Sequence, residues 1–256
     1  MNYEQQQMAQ VAQANKAHEA QQEASTASNI LNRIPDLNGD RDRQQFVIKV
    51  YSLITMMLGV TAAWSGFVYS SVNMIIWVYS NLWLYYVAFI VTIAIMCGML
   101  CQYEKFRAVP LNYISLGIFT VSHSYLIGAL LPQYEPETVV GATLATLAMF
   151  VGLTAYACFT KKDITKMGGF LCTLTMMVFM FFILNWLLRM QILHLLLCLA
   201  MVCLLSVWIV YDTQLIIGGK KKYQLSLDDY CIGALILYSD IITLFLYMLQ
   251  LFGGSR

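Results

Sequence analysis

Seven long apolar runs, separated by short polar stretches, fill the chain from residue 46 onward. They cover approximately Phe46–Tyr69, Leu82–Cys101, Leu111–Leu131, Thr138–Phe159, Met167–Leu188, Ile192–Ile217 and Asp229–Phe252. Each holds about 20 residues or more, enough at about 1.5 Å per residue to cross an apolar layer about 30 Å thick. The runs are apolar on every side, which suits helices surrounded by lipid or by other helices. The pattern predicts an all-α fold, a polytopic membrane helix bundle with seven transmembrane helices. The seventh run carries Asp240 near its centre, so two readings stand for it: a helix that crosses, or a re-entrant one that dips in and returns.

The connections are short. Residues 70–81 read as an uncharged interfacial loop carrying Trp77 and Tyr79. Pro110 suits the first turn of the third helix, where no amide donor is needed. The link Arg189-Met190-Gln191 makes the fifth and sixth helices antiparallel neighbours. Small residues four apart, Gly59 with Ala63, Ala62 with Gly66, Ser124 with Gly128 and Gly141 with Ala145, predict places where helices approach closely. Residues 1–45 are polar and rich in Gln and Ala, which predicts a disordered tail with transient helix. The membrane domain is expected over 46–254. The tail has no apolar core of the signal-peptide kind, so the first span is expected to target the chain.

Composition agrees with this division: 59% of residues are hydrophobic and 11% are charged, against about 25% charged in a soluble domain. A net charge of +1 argues against a nucleic-acid partner and leaves the lipid bilayer as the first partner. Seven cysteines lie in or beside apolar runs, a placement that suggests neither a disulfide framework nor a zinc site. No cofactor is expected. With the amino terminus in the cytosol, the cytosolic loops carry eight basic residues: Lys105, Arg107, Lys161, Lys162, Lys166, Lys220, Lys221 and Lys222. The opposite loops carry Arg189, Glu135 and Glu137, so the positive-inside rule favours a cytosolic amino terminus.

Candidate chemistry concentrates near the carboxyl terminus. Asp212 and Asp240 sit within apolar runs, where an ionised carboxylate is costly. Asp212 lies six residues before Gly218 and Asp240 eleven after Asp229, so antiparallel sixth and seventh helices would bring them to depths differing by only about 8 Å. Two desolvated carboxylates side by side do not both ionise readily and tend to share a proton. Ionised together, they repel or bind a cation such as Ca²⁺. Arg107 could pair with one of them as a latch. His123, Tyr211 and Tyr238 are candidate polar neighbours of the pair, and Asn185 is expected to bond to a neighbouring helix. The lysine run reads most simply as a topology signal or a lipid-headgroup contact.

The same residues carry a resemblance. Tyr211-Asp212-Thr213-Gln214, a Gly-Lys turn, Asp229-Tyr230 and Leu237-Tyr238-Ser239-Asp240-Ile241-Ile242-Thr243-Leu244-Phe245 resemble the signature of the transmembrane Bax inhibitor motif family, above all its Lifeguard branch. Phe46–Tyr51, Trp83–Tyr86 and Arg107–Asn112 resemble the starts of that family's first three helices. The resemblance implies six helices enclosing a seventh, a pH-sensitive Ca²⁺ leak channel and a role in suppressing cell death. It matches the family's paired aspartates to Asp212 and Asp240, and its latch arginine to Arg107, with Lys105 as the alternative. It implies an endoplasmic reticulum or Golgi location. The Gln/Ala-rich tail departs from the Pro-, Gly- and Tyr-rich tails of many Lifeguard proteins.

Two function classes compete: the leak, and a non-conducting adaptor that regulates apoptosis through cell-death regulatory proteins. An intramembrane aspartyl protease would also place a Tyr-Asp on one helix and an Asp on the next. Its second Asp follows Gly-x-Gly, whereas Leu237-Tyr238-Ser239 precedes Asp240, so no enzyme is expected. A proton-coupled transporter would need an inverted repeat, and none is visible.

Overall fold

The computed structural model describes residues 21, 22, 25, 37–218 and 221–253. Most of the expected tail, together with Lys220 and the last three residues, lies outside them. The described residues from 43 onward form one compact unit.

The first helix, α1 (Leu37–Ser70), begins well before Phe46: the polar stretch Asp40–Gln45 continues the helix instead of interrupting it. Phe46, Val50, Leu53, Ile54, Met57, Thr61, Ser65 and Val68 are buried at helical spacing along its inner face. Next comes α2 (Val72–Ser80), where the sequence suggested a loop. Nothing in 72–80 breaks a helix, and Val78 packs inward against Val68 and Ala129. The remaining α-helices are α3 (Leu82–Cys101), the short α4 (Tyr103–Phe106), α5 (Leu111–Leu130), α6 (Pro136–Phe159), α7 (Gly168–Leu188), α8 (Gln191–Ile217) and α9 (Tyr230–Gly253), with 3-10 turns at Leu131–Gln133 and Ile164–Met167. Seven of them, α1, α3, α5, α6, α7, α8 and α9, are long and apolar enough to cross a membrane. Exposed Trp83, Ile90, Val121, Leu144 and Phe179 cover the outside of the bundle, a surface suited to lipid and not to water.

The re-entrant reading of the seventh run does not hold. It is one unbroken helix of 24 residues, about 36 Å long and sufficient to cross. It is also the most enclosed span: 61% of its most apolar window is buried, against 11% for α3, α6 and α7. Ala234, Leu237, Tyr238 and Leu244 are fully buried. The helix packs against α8 and α6 along its length, with α5 and α3 touching it at fewer points. The predicted pairing of α7 with α8 is present, and the Trp208 indole donates across it to Thr175 Oγ1 at 2.9 Å.

The small-residue expectation holds in part. Gly128 lies under Trp64, where a Cβ would come within 2.7 Å of the indole nitrogen. Gly59 and Gly66, in contrast, face open space, so their pairs do not mark helix contacts. Asn185 is buried with its Oδ1 lacking any partner among the described residues, so the expected cross-helix bond from that oxygen is not made.

The basic end of the bundle is laced together by backbone carbonyls. Gln214, fully buried, donates to Lys162 O (3.0 Å) and accepts from the Ile164 amide (2.9 Å), fixing the 160–167 loop to α8. Lys221 Nζ reaches Lys162 O at 2.9 Å, and the Lys222 amide donates to Asp163. The hydrogen bond from the Thr165 hydroxyl, then the Lys222 amide and the Lys166 charge, hold the Asp163 carboxyl below the usual carboxylate range. Arg43 donates to Leu215 O (2.7 Å), Ile217 O (3.0 Å) and Leu225 O (2.6 Å). The first two are carbonyls at the end of α8 with no partner inside the helix, and a cation there also complements the helix dipole. Gly218 ends α8 at φ 65°, and a Cβ would fall within 2.6 Å of the Arg43 guanidinium.

Arg43→Met takes a donor from three carbonyls, of which Leu215 O keeps the Leu225 amide at 3.0 Å, and is expected to cost about 2–3 kcal/mol, since hydrogen bonds to charged groups contribute about 1.5–3 kcal/mol each and water recovers part of the loss. Arg43→Lys should recover only a fraction, because a compact ammonium lacks the planar spread of donors that reaches three separated carbonyls. Thermal unfolding in detergent measures both; equal stability of wild type and Arg43→Met would contradict the assignment.

Candidate functional site

Asp212 lies on α8 one and a half turns before its end, and Asp240 lies in the middle of α9. The antiparallel packing of these helices brings the two carboxyl groups within hydrogen-bonding reach of each other. Asp212 is only 5% exposed. Asp240 Oδ2 is sealed from solvent and meets no hydrogen-bond donor among the described residues. A buried carboxylate oxygen without a donor, beside a second carboxyl group, is satisfied by a shared proton or by a cation.

The candidate neighbours are placed elsewhere. Tyr238 precedes Asp240 by two residues, about 200° around the helix, and faces away from α8. Its hydroxyl lies 2.7 Å from Thr61 Oγ1, which in turn lies 2.9 Å from Ser124 Oγ. The His123 ring packs against Tyr238 and Phe119, with centroids 5.6 and 5.2 Å away, and its Nδ1 is buried without a partner among the described residues. Tyr211 turns toward Gly168 and Trp208. The structure thus joins His123 to Tyr238 but brings none of the three into hydrogen bonding with the acid pair. A separate hydroxyl group lies around Tyr51, which is within reach of Thr154 and Thr213; all three hydroxyls are buried without completed hydrogen bonds among the described residues.

Arg107 also departs from expectation. It forms a forked ion pair with Asp229, Nε to Oδ1 at 2.8 Å and an Nη to Oδ2 at 2.9 Å. Asp229 precedes Asp240 by eleven residues, about 16 Å along the chain direction of α9. The arginine therefore clasps the start of α9 and does not latch onto the buried pair. One turn further on, Asn112 Nδ2 donates to the Tyr230 hydroxyl at 3.0 Å, and Lys49 lies over the Tyr230 ring at 5.5 Å. Lys105, the alternative latch, is exposed. Arg107-to-Asn112 and Asp229-Tyr230, two separate stretches of the sequence signature, are thus the two halves of one clasp.

Sequence reasoning missed Arg43, Gln214 and Asp229. Gln214 could have been found, being a polar residue two positions after Asp212 in an apolar run. The Arg43 acceptors are backbone carbonyls more than 170 positions away and leave no trace in side-chain identity. No cluster of three His, Cys, Asp or Glu side chains occurs among the described residues. Two carboxylates fall short of the six to eight oxygens of a resident Ca²⁺ site, so the pair suits a passing cation and not a held one.

Comparison with known proteins agrees with the architecture. Residues 43–256 match the family described as inhibitor of apoptosis-promoting Bax1. Protein lifeguard 3 of Homo sapiens is 30% identical over 224 residues, covering 84% of this chain and 70% of the relative. The Mus musculus protein of the same name is 29% identical over 83% of this chain and 70% of its own length. Bax inhibitor 1 of Schizosaccharomyces pombe is 27% identical over 82% of this chain and 77% of its own. With its seven spans and its signature residues on adjoining helices, the chain is a multi-pass membrane protein of the Bax inhibitor family, in its Lifeguard branch.

Proposed function

We propose that this protein is a pH-sensitive Ca²⁺ leak of an intracellular membrane, the endoplasmic reticulum or Golgi, that opposes apoptosis and is gated by Asp212 and Asp240. The carrying observation is that Asp240 Oδ2 is sealed and has no donor among the described residues, on a carboxyl group within reach of the buried Asp212. At low pH one shared proton completes that pair and holds α8 against α9. As pH rises the proton leaves, two adjacent negative charges repel, and the pair separates or passes a divalent cation. The basic end of the bundle faces the cytosol in this reading, as the lysine distribution favours. The anti-apoptotic role rests on the names of the family and of the fission-yeast relative. Those names also support a second reading, a non-conducting adaptor acting through cell-death regulatory proteins.

In liposomes loaded with a Ca²⁺ indicator, wild-type influx is expected to rise between pH 6 and 8. Asp240→Asn and Asp212→Asn should each remove the pH dependence. Folded protein that gives no flux at any pH would discard the leak and leave the adaptor.

The clasp gives a separate test. Arg107→Gln or Asp229→Asn frees the start of α9 and is expected to raise flux severalfold at the acidic end of the range. The charge-swapped double variant Arg107→Asp, Asp229→Arg should restore part of the closure. Unchanged flux in both single variants would show that the clasp is only structural.

A further inference from the structure

The bundle is not closed between α1 and α6. A crevice of about 800 Å³ separates them, with α9 as its floor. Its α1 wall runs from Tyr51 to Ser70, about 28 Å of helix, so the space is a long slot and not a rounded pocket. Ile54, Leu58, Val139, Phe150 and Phe245 make most of the lining apolar. The threonines along it, Thr55, Thr61, Thr143 and Thr146, donate back to carbonyls of their own helices and leave their methyl groups to the walls. Val140 and Leu147 line the slot and are 58% and 57% exposed, so it is open to the bilayer side. Ala62 and Gly66 also line it, and a Cβ on Gly66 would meet nothing within 4 Å. This small pair, which the sequence suggested for helix packing, instead forms a notch in the slot.

Shape and chemistry select the occupant. Two lining hydroxyls, Tyr51 and Ser65, have no partner among the described residues, too few to hold water along the whole slot. A helix, about 10–12 Å across with its side chains, is too thick for this volume spread over this length. A single extended hydrocarbon chain satisfies both limits, and the slot lies within membrane-crossing parts of α1 and α6.

We propose that the slot is a lipid site holding one acyl chain of a membrane phospholipid, seated along Ala62 and Gly66 of α1. Ile241 and Ile242 line the slot and directly follow Asp240, so the seated chain bears on the turn of α9 that carries the acid pair. That last consequence rests on the leak reading; the lipid site does not.

The full chain is reconstituted in nanodiscs of phosphatidylcholine bearing a diazirine on one acyl chain, irradiated, and mapped by peptide mass spectrometry. Label is expected to concentrate on α1 around Ala62 and Gly66 and on α6 around Thr143 and Leu147. Gly66→Trp, which fills the notch, should lower that label severalfold, and Thr143→Phe should do the same from the opposite wall. Gly59→Trp, at an equally open position outside the slot, should leave it unchanged. Label spread evenly over the exposed apolar surface, or undiminished in both slot-filling variants, overturns the proposal. So does labelling by a diazirine fatty acid where the phospholipid gives none. The readout involves no ion flux, so a failed lipid site and a failed leak are told apart.

Discussion

Two carboxyl groups inside membrane-crossing helices have to be kept out of hydrocarbon, and the architecture follows from that requirement. A charged or even polar group facing lipid costs several kcal/mol, whereas the same group facing another helix finds a partner. The helix carrying Asp240 is accordingly the most enclosed of the seven. Its neighbour α8 carries the second acid, and the antiparallel crossing sets the two at matching depth. The exposed apolar surfaces of α3, α6 and α7 then take the lipid contact that α9 does not make.

Much of this was legible because transmembrane helices are written in long, uninterrupted stretches. The boundaries of α3, α5, α7 and α8 fall within a residue of the run limits. The misses have physical causes. The helix from Leu37 to Gln45 is polar and continues α1 by backbone hydrogen bonding, which apolar run length does not register. In α2 the residues look interfacial because they are uncharged and aromatic, yet without Gly or Pro nothing stops them coiling. The pairing of Asp212 with Asp240 could be read from helix rise alone, while the partner of Arg107 could not. Asp229 looked like the polar edge of a span, and only the folded chain brings the 107–112 stretch to it. Four-residue spacing of small residues is equally ambiguous: it allows close approach at Gly128 and leaves a gap at Gly66.

The two helices that carry the acids are tethered at the basic end with unequal strength. The end of α8 is held by two Arg43 hydrogen bonds to its carbonyls, with a third to Leu225 O in the following loop, and by one bond donated and one accepted by Gln214, which is fully buried. Contacts of the Arg43 kind contribute about 1.5–3 kcal/mol each where water is scarce. The start of α9 is held by one forked ion pair whose arginine side chain is 35% exposed, together with the Asn112–Tyr230 bond. The arginine of that pair is open to water and salt, which weaken an ion pair, whereas Gln214 is fully sealed. If Asp212 and Asp240 are driven apart, the weaker tether yields first, and α9 is the helix that moves. The geometry of α9 makes that movement consequential. It is one unbroken helix, so a shift at Asp229 carries through to Asp240, and the same rod forms the floor of the slot at Ile241, Ile242 and Phe245. In the proposed leak, the clasp at one end, the acid pair in the middle and the slot along one side would therefore act on a single rigid element, so a change at any one of them would be felt by the other two.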